Sequence, residues 1–136
     1  MRYVLFLVAV ACGAGADTPA ATDAPAGEVV QAGKRSDIDI AGLEQAMEKG
    51  AQVIDVRTEG EFAAGHVPGA VNLPLGFPDA HPVIQGLDPE APVYLICQSG
   101  GRSARAADQL SAAGFTAVNV KGGTGAWQSS GRAIEK

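Results

Sequence analysis

The segment 93–102 constrains the fold more than any other part of the 136-residue chain. Four apolar residues, Val93–Ile96, predict a buried β-strand that runs directly into Cys97 and two glycines. Helical spacing follows from about Ser103 to Ala113, and Gly114 then ends the helix. A strand, a short loop and a helix in this order are typical of a parallel α/β sheet.

The same alternation continues through the rest of the chain. Asp39 is a possible N-cap for a first helix over 38–49, closed by Gly50. Further elements are predicted from β-branched runs and turn residues: strands over 52–56, 70–73 and 116–120, a helical stub over 59–64, a connection over 74–92 that has room for a small helix, and a last short helix after the Gly-rich turn 121–127. The pattern therefore predicts a parallel sheet covered by helices on both faces.

The N-terminus predicts export. A basic residue and eight apolar residues precede Cys12, which is the layout of a signal peptide and too short to span a bilayer. Two processing sites compete: cleavage before Cys12 with lipidation of that cysteine, or ordinary cleavage before Asp17. We expect a signal peptide over 1–12, a flexible Ala/Pro/Thr-rich linker over 13–34 and one folded domain over 35–136. The expected location is the periplasm or cell envelope.

Charge and length exclude several classes of protein. The net charge is −5 and no basic stripe is present, so nucleic-acid binding is not expected. About a hundred residues remain for the body, enough for one ordinary domain. No heptad pattern or apolar stripe indicates self-association, so we expect a monomer, which would contact a membrane only if Cys12 is lipidated.

Cys97 is the candidate nucleophile. It lies where a parallel strand meets a helix N-terminus, and in such sheets ligands bind at this edge. Gly100 and Gly101 let successive backbone N–H groups point inward, and Arg102 adds a positive charge. This environment should lower the pKa of the thiol. Two alternatives are a buried structural cysteine and a phosphate-binding loop, although the Gly-Lys-Ser/Thr ending of nucleotide loops is missing.

Other polar residues in the body are predicted to be structural. Arg57 and Glu61 are four residues apart, and this spacing predicts an ion pair that holds the loop after the strand. His66 stands in a turn far from Cys97 in sequence and is a weaker candidate as a general base. His81 is expected to be solvated. Trp127 is expected to anchor the core.

At these residues the chain resembles the rhodanese family. Its N-terminal signature is similar to the stretch Ile54–Asn72, in which Asp-Val-Arg is followed by Glu-Phe and by Gly-His-Val-Pro-Gly-Ala. The Cys97 loop resembles the family's active-site loop, and Gly122, Gly123 and Trp127 resemble its C-terminal motif. Thr124 departs from the family, which tends to place a larger apolar residue there.

The resemblance implies a rhodanese-like sheet of about five parallel strands and a sulfurtransferase. Cys97 would accept a sulfane sulfur from thiosulfate or a similar small donor and pass it from a persulfide to cyanide or a thiol, with no metal or organic cofactor. The residues that would bind the substrate are those of the loop: Gln98, Ser99, Gly100, Gly101, Arg102 and Ser103. The signature residues would be scaffold: Asp55, Arg57, Glu61 and His66.

Two other functions are compatible with the resemblance. Some members of the family carry a persulfide for a protein partner, and others are Cdc25-like phosphatases or arsenate reductases. Four residues separate Cys97 from Arg102, whereas the phosphatases that resemble this fold have five. The shorter loop makes a tighter cradle, which favours sulfur over a phosphate ester.

Overall fold

The structure is a computed structural model, and it describes residues 33–136. The predicted signal peptide, the processing site at Cys12 and nearly all of the linker lie outside the described residues, so they stay predictions. Among the described residues, no helix combines the length and the apolar composition that crossing a bilayer would require.

Five strands and five helices alternate along the described chain. Their bounds are β1 Arg35–Ile38, α1 Ile40–Glu48, β2 Gln52–Asp55, α2 Glu59–Ala64, β3 Val71–Asn72, α3 Pro82–Gln85, β4 Val93–Ile96, α4 Gly101–Ala112, β5 Ala117–Val120 and α5 Gly123–Ser129. All strands pair in parallel, in the order β1-β5-β4-β2-β3. The predicted parallel five-stranded fold is confirmed, and β4 is its central strand.

Alternating side chains of β4 enter two separate cores on the two faces of the sheet. Val93, Leu95 and Cys97 pack into the core that also contains buried residues of α3 and α4. Ile96 belongs to the opposite core, with buried residues of α1 and α5. Because side chains alternate along a strand, the register of β4 directs Cys97 toward the face covered by α4.

The structure adds one strand to the predicted elements and shortens one helix. Residues up to Ile38 form β1, which pairs with β5, so the first helix begins at Ile40 instead of 38. Asp39 is the N-cap as predicted, because its carboxylate accepts a hydrogen bond from the backbone N–H of Gly42 at 2.8 Å. The strand was missed because a mixed polar run at a sheet edge has no apolar period.

Candidate active site

Cys97 lies at the carboxyl end of the central strand, in the loop that leads to α4. Its side chain is 1% exposed, whereas the next two residues, Gln98 and Ser99, are exposed. Gly100 has a φ of 105°, in the left-handed region that glycine adopts without steric cost. Gly101 then begins α4, two residues earlier than the predicted start, because glycines carry little helical signal.

Hydrogen-bond donors surround the Cys97 sulfur. The backbone N–H of Gly100 donates to Sγ at 3.1 Å, and Ser103 Oγ lies 3.4 Å from Sγ. Burial raises the pKa of the thiol, but hydrogen bonds from the Ser103 side chain and from the backbone N–H groups of Ser103, Ser99 and Gly100 outweigh it, so the net pKa is lowered. A lowered pKa favours the thiolate, which is the nucleophilic form of cysteine.

The first turn of α5 holds the outside of the Cys97 loop. The Thr124 N–H donates to the Cys97 carbonyl at 2.8 Å, and the Gly125 N–H donates to the Gln98 carbonyl at 3.0 Å. These bonds hold both carbonyls toward α5, which leaves the N–H side of the loop for the sulfur. Gly123 makes the close approach possible, because a Cβ at this position would lie 2.2 Å from the Cys97 carbonyl oxygen.

Arg102 forms an ion pair with Glu61 of helix α2. Its guanidinium donates to Glu61 through two bonds of 2.9 Å, one to each carboxylate oxygen. The predicted Arg57–Glu61 ion pair is therefore wrong: Glu61 pairs with Arg102 across the site, and Arg57 pairs with Asp55. Helical spacing cannot reveal this, because the capping box of α2 and a partner distant in sequence determine the direction of the Glu61 side chain.

The Glu61–Arg102 pair should make folding stability depend on pH. The Arg102 hydrogen bond, with bonds from Thr58, holds the pKa of Glu61 far below its ordinary value of 4.5. A lowered carboxyl pKa contributes stability above the unfolded pKa and loses it as the pH falls through the folded pKa. In urea unfolding, we expect Glu61→Gln to lower the free energy of unfolding by about 0.5–1 kcal/mol at neutral pH.

That difference from wild type should shrink steadily below about pH 4.5, because Glu61 then takes up a proton in the unfolded chain while it stays ionised in the folded protein. Glu59→Gln is the matched control, because Glu59 is exposed in the first turn of the same helix and the substitution removes the same charge. A deficit of Glu61→Gln that stays constant down to about pH 3 would contradict the expected contribution of the ion pair.

The remaining signature residues form a buried structural network. Arg57 donates to both carboxylate oxygens of Asp55 and to the Gly65 carbonyl, and Asn72 donates to the carbonyls of Asp55 and Arg57. Asp55 is 0% exposed and Arg57 is 3% exposed. Paired charges of this kind hold neighbouring loops together. These contacts fit the predicted scaffold role.

The two histidines lie in structural contacts. The His66 ring stacks on Phe62, its Nδ1 lies 2.9 Å from the Phe62 carbonyl, and its Nε2 lies 3.6 Å from the Glu135 carboxylate. Both ring nitrogens therefore have a partner away from Cys97. His81 accepts a hydrogen bond from the Val83 N–H as the N-cap of α3, a role that the sequence pattern does not predict.

Trp127 is an anchor of the core, as the sequence predicts. Its side chain is 4% exposed, and its indole N–H donates to the Ala133 carbonyl at 2.8 Å. The side chain packs in the same core as Leu43 and Ile96. This core lies on the opposite face from Cys97, so Trp127 fixes α5, which in turn supports the loop.

Two polar residues behind Ser103, one buried and one partly exposed, were not predicted from the sequence. Asn119 in β5 is 4% exposed, and its Oδ1 lies 2.6 Å from Ser103 Oγ. Asp37 in β1 accepts a hydrogen bond from the Asn119 amide at 2.9 Å. The available signal was a polar residue, Asn119, between Val118 and Val120 in a strand whose four residues are all buried.

Thr124 is a polar residue that is fully buried. It is 0% exposed, and its hydroxyl has no hydrogen-bond partner within residues 33–136. Valine has nearly the same shape and removes the unsatisfied group, so Thr124→Val should raise the free energy of unfolding by about 1 kcal/mol. Thr58→Val is the control, since Thr58 caps α2 and its loss should lower stability by about 1 kcal/mol. A destabilised Thr124→Val would show that the hydroxyl has a partner.

The fold and the loop together define a class: a parallel α/β domain that holds a buried cysteine in a cradle of backbone N–H groups. The chain belongs to the rhodanese-like domain family, whose sequence profile matches residues 39–130. Among solved structures, it is similar to the rhodanese-related protein from Thermoplasma volcanium, with a TM-score of 0.65 and 30% identity, covering 75% of this chain and 98% of that one.

Named sulfurtransferases are among its relatives. It is 39% identical to thiosulfate sulfurtransferase GlpE of Pseudomonas putida, over 63% of this chain and 77% of that protein. It is 36% identical to the putative sulfurtransferase YtwF of Bacillus subtilis, over 68% of this chain and 89% of that protein. It is also 44% identical to the uncharacterized protein YqhL of Bacillus subtilis, over 57% of this chain and 60% of that protein. The relatives therefore support a sulfurtransferase family.

Proposed function

We propose that the protein is a sulfurtransferase that moves a sulfane sulfur through a persulfide on Cys97. One observation carries this proposal: the Cys97 sulfur lies at the end of the central strand and faces the N–H side of its own loop. Such a cradle stabilises negative charge on sulfur, first as thiolate and then as persulfide. The names of the relatives support the same chemistry.

The reaction divides into two displacements. The Cys97 thiolate attacks the outer sulfur of thiosulfate, a new S–S bond forms at Sγ, and the bond inside the donor breaks so that sulfite leaves with its electron pair. The acceptor, cyanide or a thiolate, then attacks the outer sulfur of the persulfide. The Cys97–sulfur bond breaks, and the thiolate returns. This sequence produces ping-pong kinetics.

Neutral donors of the loop are proposed to bind the substrate. Gln98, Ser99 and Gly101 are exposed, so an arriving anion can reach this part of the loop. Arg102 is bound on both nitrogens by Glu61, so much of its charge is already balanced. We therefore assign charge stabilisation chiefly to the backbone amides, and to Arg102 the positioning of the loop against α2.

The test is a mass spectrum followed by an assay. The full chain is incubated with thiosulfate, and the intact protein is weighed before and after cyanide is added. We expect a gain of one sulfur atom, its loss on addition of cyanide, and catalytic formation of thiocyanate. A stable persulfide without turnover would favour a carrier for a protein partner. Hydrolysis of p-nitrophenyl phosphate or reduction of arsenate, with no sulfur gained, would overturn the proposal.

A further inference from the structure

A line of polar side chains leads from Cys97 through the sheet to β1. Ser103 Oγ lies 3.4 Å from Cys97 Sγ and 2.6 Å from Asn119 Oδ1, and Asn119 Nδ2 donates to Asp37 Oδ1 at 2.9 Å. Ser103 is fully buried and Asn119 nearly so. Asp37 and Asn119 are directly paired in the register of β1 with β5. The contact between them is therefore built into the sheet.

The carboxylate of Asp37 fixes the orientation of the Asn119 amide. An ionised carboxylate only accepts hydrogen bonds, so it takes the amide NH₂ group and leaves Oδ1 turned toward Ser103. Arg35 donates to the other oxygen of Asp37 at 3.2 Å, which keeps the carboxylate in place. The amide consequently presents an acceptor to the Ser103 hydroxyl, not a donor.

The Ser103 hydroxyl has one hydrogen and two acceptors within reach. While Cys97 is a thiol, both can be satisfied, because Ser103 donates to Asn119 and accepts from S–H. A thiolate only accepts, so Ser103 can hydrogen-bond the thiolate only by turning its hydrogen away from Asn119. That rotation leaves a buried amide oxygen without its donor at 2.6 Å, which costs free energy.

We propose that Asn119 is a positioning residue that competes with the Cys97 thiolate for the Ser103 hydrogen, and so limits how far the thiolate is stabilised. A less stabilised thiolate is the better nucleophile. Once the persulfide forms, the negative charge moves to the outer sulfur and the hydrogen can return to Asn119. The competition therefore favours the persulfide over the free thiolate. This inference rests on the proposed function only in taking Cys97 as the reacting group.

Other charges near Cys97 act independently of this competition. They form two ion pairs, one buried behind the loop and one at its entrance: Asp55 with Arg57, and Glu61 with Arg102. On the far side of Asn119, Asp37 is bound by Arg35. The variants below leave the first two pairs unchanged, so their effect on the Cys97 pKa is constant across the series.

The test is a titration of Cys97 by the ultraviolet absorbance of its thiolate. All proteins are full chains that carry Cys12→Ser, and a further Cys97→Ser variant supplies the blank. Asn119→Ala frees the Ser103 hydrogen and should lower the Cys97 pKa by about 0.5–1 unit. Ser103→Ala removes the donor and should raise it by a similar amount. The double variant should match Ser103→Ala alone, because Asn119 acts through Ser103.

Asp37→Asn tests the same competition without emptying a buried position. It frees the Asn119 amide to rotate, so the Cys97 pKa should fall, and this fall should vanish when Ser103 is alanine. Asp108→Asn is the matched control. The Asp108 carboxylate lies 2.7 Å from Arg35 Nε, so the substitution removes the same charge from the other partner of Arg35. We expect no shift from it.

Two results would overturn the inference. One is a shift of equal size for Asp37→Asn and Asp108→Asn. The other is a shift of the Cys97 pKa by Asn119→Ala that persists when Ser103 is also alanine. The first result would assign the effect to charge, and the second would assign it to packing. The titration requires no sulfur donor. The Cys97 pKa can therefore be measured even if the protein transfers no sulfur. A failure of the proposed function and a failure of this inference can be distinguished.

Discussion

Cys97→Ser should reduce thiocyanate formation from thiosulfate and cyanide by a factor of at least about 10³. Serine has nearly the same shape and keeps the loop in place, but its hydroxyl does not ionise near neutral pH and cannot hold a transferable sulfur. Because the Gly100 N–H and the Ser103 hydroxyl lie at 3.1 Å and 3.4 Å from Sγ and can hydrogen-bond a serine hydroxyl, the variant should fold normally. The measurement is the initial rate of thiocyanate formation, with intact-protein mass to show that no sulfur is gained.

Cys12→Ser is the matched control for this variant, since it makes the same substitution at the other cysteine of the chain. Its rate should equal that of wild type. The wild-type rate should also rise with pH through a midpoint below the ordinary thiol pKa of about 8.5, because the loop N–H groups and Ser103 lower the pKa of Cys97. A Cys97→Ser variant that retains a large share of the rate would remove Cys97 from the chemistry.

Gly123→Ala should reduce sulfur transfer by about 100-fold or more, although Gly123 itself touches no substrate. A Cβ would lie 2.2 Å from the Cys97 carbonyl oxygen and 2.7 Å from the Gln98 carbonyl carbon. Both atoms are backbone, so no side-chain rotation relieves the contact and the loop itself must move. Its N–H groups would then lose their alignment on the sulfur. The overpacked site should also lower the free energy of unfolding by about 1–3 kcal/mol.

Gly131→Ala separates this clash from backbone strain. Gly131 has a φ of 78° against 57° for Gly123, but a Cβ there meets nothing within 4 Å. Alanine at Gly131 should cost about 1 kcal/mol of stability and leave the transfer rate unchanged. Equal rates for the two variants would show that the contact between α5 and the loop does not position the nucleophile.

Most of the architecture could be predicted from local patterns. Short apolar runs such as 93–96 correspond to strands, and apolar residues at helical spacing followed by glycine correspond to helices. Each pattern repeats with the period at which its secondary structure turns side chains toward the core. The alternation of the two then leaves few topologies besides a parallel sheet. The strand β1 was not predicted, since Arg35–Ile38 is a mixed run whose pairing with β5 supplies the stability that its own residues do not.

In the candidate site too, some features could be predicted from the sequence and others could not. The position of Cys97 between a strand and a glycine-rich turn was visible in the sequence, and so was the prediction of a lowered pKa, because both follow from neighbours in the chain. The partners of the charged residues were not. Helical spacing predicts an ion pair between Glu61 and Arg57. In the fold, Glu61 forms its ion pair with Arg102, and Arg57 forms one with Asp55.

The sequence by itself thus determined the order of the strands and helices that follow β1, the loop that holds Cys97, and the family to which the chain belongs. Tertiary structure alone decided which groups from distant segments meet: the backbone N–H groups of Thr124 and Gly125 on the loop carbonyls, and the side chains of Asn119 and Asp37 behind Ser103. The physical reason is the distance along the chain over which each interaction acts. Backbone periods and turns are local properties, whereas a hydrogen bond between strands depends on sheet order and register, which the whole chain must fold to define.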